Sequence, residues 1–209
     1  MKNVIVYGAG EFGSLISNVI SYHSDINIVA YGDDDTEKIG QLIDESPVLN
    51  DEDLLKFAQE NRIKYAITSI GNNKIRAEKY SFLKNKGFQM LSLVHPRALI
   101  DTKVNYGDNV IIEMGTAIHT NTNIGNNVFL GGDALIGHHN TIGNHVLVGG
   151  NVSFGGSVVV EDYVSIGVGA SIRPGVRLGE SSVIGVGAAV VNDVKPGDVV
   201  VGVPAKPIK

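Results

Sequence analysis

Residues 124–148 read IGNNVFLGGDALIGHHNTIGNHVLV, and in this stretch a large aliphatic residue returns at every sixth position. The aliphatic positions are Ile124, Leu130, Ile136, Ile142 and Val148, and a glycine follows each of them. A period of six fits neither a helix, with about 3.6 residues per turn, nor a strand that alternates with a period of two. It is instead the period expected of a short strand followed by a turn, repeated along the chain.

The same register extends over most of the second half of the chain. Its sixteen positions are all large and apolar: Ile100, Tyr106, Ile112, Ile118, Ile124, Leu130, Ile136, Ile142, Val148, Phe154, Val160, Ile166, Ile172, Leu178, Ile184 and Val190. Glycine follows ten of the sixteen, and the fourth residue after each is small or β-branched, with Asn140 as the one exception. We expect the glycines to supply the backbone freedom of the turns. Three such repeats, each forming one flat face, would close a triangular coil. The pattern therefore predicts a parallel β-helix of about five coils, each rising ~4.8 Å.

Composition divides the chain into two parts. Of its 26 glycines, 7 lie in residues 1–99 and 19 in residues 100–209. Pro96 biases His95 toward an extended backbone, as expected of a linker that enters a new fold. We therefore predict one domain over residues 1–95 and a β-helix domain over residues 96–209 that ends in a short tail.

The first part alternates strand and helix patterns. Strands are predicted over residues 3–7, 26–31, 65–70 and 88–94, because these runs are apolar and rich in β-branched residues. Helices are predicted over residues 11–22 and 74–86, and from Asn50 or Asp51 past Ala58. This alternation is typical of a small parallel α/β domain of the Rossmann-like kind.

Composition also excludes several classes of function. The formal net charge is −5, so general nucleic-acid binding is not expected. The chain has no cysteine, which excludes disulfides, thiolate metal sites and a cysteine nucleophile. No apolar run reaches the length of a membrane span, and no signal peptide is recognised, so we expect a cytoplasmic protein without a membrane partner.

The loop GAGEFG at residues 8–13 follows a strand and opens a helix. Backbone N–H groups at a helix N-terminus can hold a diphosphate, and the motif alone most often indicates NAD. An NAD site expects one acidic residue at the end of the second strand, whereas Asp33 here follows a glycine and begins a run of three aspartates. Asp34 and Asp35 can equally be residues of a solvated turn.

The combination of motifs resembles the sugar O-/N-acyltransferase family. It consists of the GAGEFG start, the segment Ile70-Gly71-Asn72-Asn73 with Arg76, the hexapeptide repeats and a closing GVPAK at residues 202–206. The family includes N-acetyltransferases of nucleotide-linked 4-amino sugars and sialic acid O-acetyltransferases. The resemblance implies a left-handed β-helix, acetyl-CoA as acyl donor, a nucleotide-sugar acceptor and a homotrimer with the donor in a groove between neighbouring β-helices.

The resemblance also implies roles for residues of the β-helix. His138 matches the general base, and His145 matches a histidine that contacts the acetyl carbonyl. Val168 and Val186 match positions that touch the acyl-CoA arm. Family members commonly carry Glu or Asp directly after the base, but this chain has His139, which leaves open what orients the His138 imidazole.

The resemblance assigns the acceptor nucleotide sugar to the first domain. The residues it implies are Gly10, Glu11, Phe12, Asp33, Asp34 and Gly71. A carboxylate there can accept the N3–H of a uracil or thymine ring. Many relatives carry histidine where this chain has Phe12, so the acceptor contacts can differ.

Two alternatives to N-acetylation remain at this point. The first is O-acetylation of a sialic-type sugar, and the second is a non-catalytic nucleotide-sensing scaffold built on a β-helix trimer. Clustered histidines on such a β-helix can also bind a metal, as in γ-class carbonic anhydrases. Those enzymes need a histidine pair spaced H-x4-H, and the spacings of His138, His139 and His145 do not fit it, so no metal is expected.

Overall fold

The computed structural model describes residues 1–208 and divides the chain into two compact units, of which the first ends at Leu93 and the second begins at Val94. The first is an α/β domain and the second a left-handed parallel β-helix. The predicted fold class is thereby confirmed.

The α/β domain has a six-stranded sheet and three helices. Its elements are β1 Lys2–Tyr7, α1 Glu11–Ser21, β2 Ile26–Gly32, β3 Leu42–Ile43, β4 Ser46–Leu49, α2 Asp51–Glu60, β5 Tyr65–Thr68, α3 Asn73–Asn85 and β6 Gln89–Met90. The strand order is β3-β4-β2-β1-β5-β6, and all neighbours are parallel except β3 and β4. Strand order reverses at β1, which creates the kind of crevice where open α/β sheets bind ligands.

Local sequence explains the helix boundaries in this domain. Asn50 caps α2 by accepting a hydrogen bond from the Asp53 N–H, and Asn72 caps α3 by accepting from the N–H groups of Lys74 and Ile75. Gly87, at a φ of 88°, follows α3 and ends it.

Two features of the domain differ from the prediction. Residues 88–94 were predicted as one strand, but they form β6 and the separate β7 Leu93–Val94, which pair in different sheets. The break falls where the chain passes from one hydrophobic core to another. The short hairpin of β3 and β4 was not predicted, because strands of two and four residues are too short to show a period.

The β-helix has three faces, each a stack of short parallel strands. The first face contains β7, β10 Ile111–Ile112, β13 Phe129–Leu130, β16 Leu147–Val148, β19 Ser165–Ile166, β22 Val183–Ile184, β24 Val199–Val201 and the antiparallel β25 Lys206–Pro207. The second contains β8 Leu99–Ile100, β11 Ala117–Ile118, β14 Leu135–Ile136, β17 Ser153–Phe154, β20 Ser171–Ile172 and β23 Ala189–Val190. The third contains β9 Asn105–Tyr106, β12 Asn123–Ile124, β15 Thr141–Ile142, β18 Val159–Val160 and β21 Arg177–Leu178.

The register between coils is 18 residues, as the repeat predicts. Ile118 pairs with Ile136, and Ile136 pairs with Phe154. The in-register aliphatic residues and the small residues four positions later fill one continuous core. Tyr106 is the exception, since its side chain is 43% exposed. It lies on β9, the edge strand of the third face, which has no coil beyond it to close the core.

The prediction about the glycines after each aliphatic residue was wrong. They do not have positive φ values; instead, a Cβ at Gly137 would lie 2.6 Å from the carbonyl oxygen of Gly155 in the next coil. Glycine is therefore required there by the close approach of successive coils. The left-handed turn conformation falls two residues later, at positions such as Asn127, His139 and His145, with φ values of 57°, 58° and 60°. Asn, Asp and His tolerate this region better than most residues do.

Candidate functional site

A cleft of about 600 Å³ opens in the α/β domain at the carboxyl ends of β1, β2 and β5. Its lining includes all six residues predicted to hold the acceptor: Gly10, Glu11, Phe12, Asp33, Asp34 and Gly71. They come from three separate places in the chain: Gly10 and the first two residues of α1 follow β1, the two aspartates follow β2, and Gly71 follows β5. The topology of the sheet therefore brings together residues that are far apart in the sequence.

The glycine loop allows the N-terminus of α1 to lie against this cleft. Gly8 has a φ of 119°, and a Cβ there would lie 2.2 Å from the carbonyl oxygen of Ser69. A Cβ at Gly13 would lie 2.2 Å from the carbonyl oxygen of Gly8. Both positions exclude any side chain, so the helix packs closely on the sheet. The first N–H groups of α1 are left at the cleft, where they suit an anion.

Asp33 holds the glycine loop to the end of β2. Its carboxylate accepts hydrogen bonds from the Ala9 N–H at 2.8 Å and from the Asp35 N–H at 2.9 Å. Burial by itself would raise the pKa of Asp33, but these two hydrogen bonds and the Lys38 ammonium lower it below its usual value. The carboxylate is therefore ionised and already fixed before any ligand arrives.

Lys38 is a cleft residue that sequence reasoning missed. Its Nζ lies 3.2 Å from Asp33 Oδ2 and 3.5 Å from Asp35 Oδ2. The same Nζ would lie 3.8 Å from a Cβ at Gly10, the residue that caps α1. The ammonium and the helix N-terminus are thus adjacent positive groups. The one feature of the sequence that could have pointed to Lys38 is its position a few residues after the three aspartates.

Asp34 belongs to a second network on the wall of the cleft. Its Oδ1 accepts a hydrogen bond from the Tyr7 hydroxyl and one from Lys79 Nζ, each at 2.7 Å. Burial would raise the pKa of Asp34, but Lys79 and Tyr7 lower it. Asp51 contacts the same hydroxyl and the same ammonium. The Asp34 side chain remains 63% exposed, so it is fixed in place and still open to a ligand.

The segment after β5 owes its shape to a buried arginine. Arg76 donates hydrogen bonds to the carbonyl oxygen of Ile70 at 2.9 Å and to Asn73 Oδ1 at 2.9 Å. Burial lowers the pKa of Arg76 to about 10, so it stays charged at neutral pH. Gly71 in this loop lies close to the Phe12 ring, and a Cβ would lie 3.0 Å from it, so that the ring would have to shift. Arg76 thus places the loop, and Gly71 lets Phe12 close against it.

In the β-helix, the predicted residues lie at the corners between faces. Corner one joins the second face to the third and includes residues 137–140; corner two joins the third face to the first and includes residues 143–146. Corner three joins the first face to the second and includes residues 167–170 and 185–188. These three names are used below.

His138 is exposed at corner one, where its Nδ1 lies 3.0 Å from the Nδ1 of His139. The Nε2 of His139 in turn lies 3.1 Å from Asn121 Nδ2 in the preceding coil. His138 also lies against Gly156 in the following coil, where a Cβ would lie 2.5 Å from the ring carbon Cε1. The ring therefore occupies space that exists only because residue 156 is glycine, a requirement that the sequence pattern did not reveal.

Asn140 anchors the same turn from the inside of the β-helix. It is fully buried, its Nδ2 donates to the carbonyl oxygen of Gly137 at 2.9 Å, and its Oδ1 accepts from the Val158 N–H at 2.7 Å. Thr122 also donates to the carbonyl oxygen of Gly137. Asn140, the one residue that departs from the repeat, is thus a buried polar residue whose hydrogen bonds fix the position of Gly137, directly before His138.

His145 lies at corner two in a column of turn residues from successive coils. Its Nδ1 lies 2.8 Å from Asn127 Nδ2, and its ring stacks on Tyr163 at a centroid distance of 4.8 Å. Asn109 donates to Asn127 Oδ1, which leaves the Asn127 Nδ2 group to donate to His145. With the two amides in this orientation, His145 Nδ1 accepts and the ring proton is on Nε2, the tautomer needed to donate a hydrogen bond to a carbonyl oxygen.

Val168 and Val186 lie at corner three, one coil apart. Their side chains are exposed by 52% and 77%, which is unusual for valine. The backbone nitrogen of Val168 lies over Gly149, and that of Val186 lies over Gly167. Both are so close that a Cβ on the glycine would have no room. The two valines therefore form an exposed apolar strip at this corner.

A single chain does not bring these β-helix residues together. His138, His145 and the two valines lie at three different corners, each separated from the next by a face. Within residues 1–208, no three histidine, aspartate or glutamate side chains converge as metal ligands would. None of the helices described is long and apolar enough to cross a membrane.

Comparison with known proteins finds one matching family model and several solved structures with the same fold. Residues 3–83 match the family described as the PglD N-terminal domain. PerB from Caulobacter crescentus, crystallised with CoA and GDP-perosamine, is 25% identical, with a TM-score of 0.93 over 100% of this chain and 98% of that one. WeeI from Acinetobacter baumannii AYE is 25% identical, with a TM-score of 0.89 over the full length of both chains.

A further solved structure shares the fold. The acetyltransferase domain of PglB from Neisseria gonorrhoeae FA1090, in complex with acetyl coenzyme A, is 24% identical, with a TM-score of 0.90 over 99% of each chain. No curated protein matches the sequence. The resemblance to hexapeptide-repeat sugar acyltransferases is confirmed by these comparisons.

Proposed function

We propose that this protein is an acetyl-CoA-dependent N-acetyltransferase that acts on the amine of a nucleotide-linked 4-amino sugar. One observation carries the proposal: the likeness to PerB, crystallised with CoA and GDP-perosamine, spans both units of the chain, so that it includes both the α/β cleft and the β-helix corners. A dinucleotide-binding protein would share only the first of these.

The α/β cleft suits the nucleotide diphosphate. The N-terminus of α1 and Lys38 supply positive groups for the phosphates, and Asp34 has a fixed, exposed carboxylate for the N–H groups of a base. The Asp33 carboxylate already accepts hydrogen bonds from Ala9 and Lys38. We therefore assign it the role of positioning these two residues rather than of contacting the base. This reassigns one of the residues expected to bind the nucleotide.

His138 is proposed as the general base. The thioester of the bound donor supplies an activated acyl carbon, which the sugar nitrogen attacks to form a carbon–nitrogen bond. His138 Nε2 takes the proton that the nitrogen loses and returns it to the sulfur when the carbon–sulfur bond breaks. His145 donates from Nε2 to the oxygen that gains negative charge, and Val168 and Val186 pack against the donor arm.

The proposed function is tested by offering the protein acetyl-CoA with UDP-, dTDP- and GDP-linked 4-amino sugars and measuring the release of free CoA. The matched controls are the same nucleotide sugars with a hydroxyl at the 4-position. We expect one amino sugar to release CoA at least about tenfold faster than its hydroxyl counterpart, since amines are the stronger nucleophiles. Release only with hydroxyl acceptors would favour O-acetylation, and release with none would favour a nucleotide-sensing scaffold.

A further inference from the structure

The His138–His139–Asn121 contacts form a chain of hydrogen bonds that has only two consistent directions. A neutral imidazole has one nitrogen that donates and one that accepts. The chain runs from the side-chain amide of Asn121 to His139 Nε2 at 3.1 Å, and from His139 Nδ1 to His138 Nδ1 at 3.0 Å. Fixing the direction of one link therefore fixes the protonation of both rings.

In one direction, Asn121 donates through Nδ2 to His139 Nε2. His139 then donates from Nδ1 to His138 Nδ1, and the His138 proton must lie on Nε2. A ring in that state has no free lone pair on its outer nitrogen and cannot accept a proton there.

In the other direction, Asn121 presents its Oδ1 and accepts from His139 Nε2–H. His139 Nδ1 then accepts from His138 Nδ1–H, which leaves the His138 Nε2 lone pair free. The oxygen and nitrogen of an asparagine amide are nearly the same in shape, so both directions fit the same atomic positions. Among residues 1–208, the Asn121 amide makes no other side-chain hydrogen bond, so turning it over breaks none.

We propose that Asn121 and His139 form a neutral relay in the second direction and act as positioning residues for His138, in place of a carboxylate. This inference rests on the proposed role of His138 as base. It answers which group orients the imidazole: His139 accepts the Nδ1 proton, and Asn121 fixes the tautomer of His139. The turn itself favours the arrangement, because Asn121 and His139 occupy the left-handed position of successive coils, with φ values of 59° and 58°.

The tautomers are measured first, by nitrogen NMR of the histidine rings in the full-length protein, at a pH where the imidazoles are neutral. We expect His138 to be protonated on Nδ1 in the unmodified protein and to become a mixture of tautomers in Asn121→Gly. Glycine suits the positive φ, so this change removes the amide without backbone strain. Finding the His138 proton on Nε2 in the unmodified protein overturns the proposal.

Turnover of the accepted amino sugar supplies the second readout. Asn121→Gly is expected to lower kcat about tenfold, less than the ~10²–10⁴-fold contribution of a general base, with KM little changed. Asn121→Asp supplies only acceptor oxygens and is expected to keep kcat within about threefold, because it can hold the relay in the proposed direction alone. An equal loss in both variants contradicts the relay. Asn151→Gly is the matched control: it occupies the same turn position at a φ of 55°, at corner three, and should leave kcat unchanged.

A double substitution separates the relay from a general effect on the turn. His139→Asp places a carboxylate directly after His138, so Asn121→Gly should cost nothing further in that background; a full additional loss overturns the relay. If no acceptor is acetylated at all, the proposed function fails, while the NMR measurement still decides the direction of the relay.

Discussion

At corner one, the absence of a side chain on Gly156 decides where the His138 ring can lie. A Cβ there would lie within 2.9 Å of three ring atoms of His138, and residue 156 is not among the glycines with positive φ. The backbone at residue 156 can therefore accept an alanine, but the alanine methyl group would displace the His138 ring.

We predict that Gly156→Ala lowers kcat by about tenfold or more while leaving the melting temperature nearly unchanged, because an exposed ring can move aside at little cost. Steady-state kinetics and thermal unfolding measure the two effects. The control is the double variant with His138→Ala, which should be no slower than His138→Ala alone, since both changes act through one ring. Additive losses would show that Gly156 acts elsewhere.

Lys38 supports a prediction about the phosphates. Because its ammonium lies beside the N-terminus of α1, we expect Lys38→Met to weaken binding of the nucleoside diphosphate about tenfold, near the lower end of the ~1.5–3 kcal/mol for hydrogen bonds to charged groups. Lys64→Met, an exposed lysine outside the cleft, is the matched control. Calorimetry that gives equal affinities for both variants would remove Lys38 from the site.

Among the elements, the loop between β1 and α1 depends on Asp33 at the end of β2. Burial raises the pKa of Asp33, but the hydrogen bonds from Asp35, Ala9 and Lys38 bring it below its usual value. A carboxylate with a lowered pKa stabilises the folded state at pH values above its unfolded pKa of about 3.9, and this contribution is lost as the pH falls through the lower, folded value.

We predict that Asp33→Asn reduces hydrogen-exchange protection at the Ala9 amide at neutral pH, and that this reduction shrinks only as the pH falls through the lowered pKa of the native carboxyl, where that carboxyl is itself protonated. Nucleotide binding should weaken with it, because Ala9 and Lys38 lose their anchor. Asp25→Asn is the control, as the Asp25 side chain is exposed and its carboxylate lies 3.8 Å from the Lys2 ammonium, outside the cleft. Equal Ala9 protection in both variants at neutral pH would contradict this role of Asp33.

An element could be predicted from the sequence when its residue pattern repeated often enough to be recognised. The 18-residue register was readable over sixteen positions, so the β-helix and its core were predicted, apart from Tyr106 at the edge. The role of the glycines in the β-helix was not predicted, because a glycine needed for close approach and one needed for positive φ look alike in a sequence. Lys38, Gly156 and Asn121 were missed because their importance comes from neighbours one coil or one loop away.

For the whole molecule, the separation of the three corners has a consequence for assembly. His138, His145 and the pair Val168 and Val186 would contribute to one site only if corners of different copies meet. We therefore predict a homotrimer, with about three times the mass of one chain by light scattering, and activity that falls on dilution together with the trimer. A monomer with full activity would contradict the shared site.

The most direct test of the account compares the unmodified protein with His138→Ala on the accepted amino sugar. The account predicts a loss of ~10²-fold or more in kcat, because a proton acceptor acts mainly in the transition state. Binding of acetyl-CoA and of the nucleotide sugar, the assembly and the melting temperature should stay the same, since His138 is exposed and its removal leaves no cavity in the core. A His138→Ala protein that keeps a near-normal kcat at neutral pH would contradict the account.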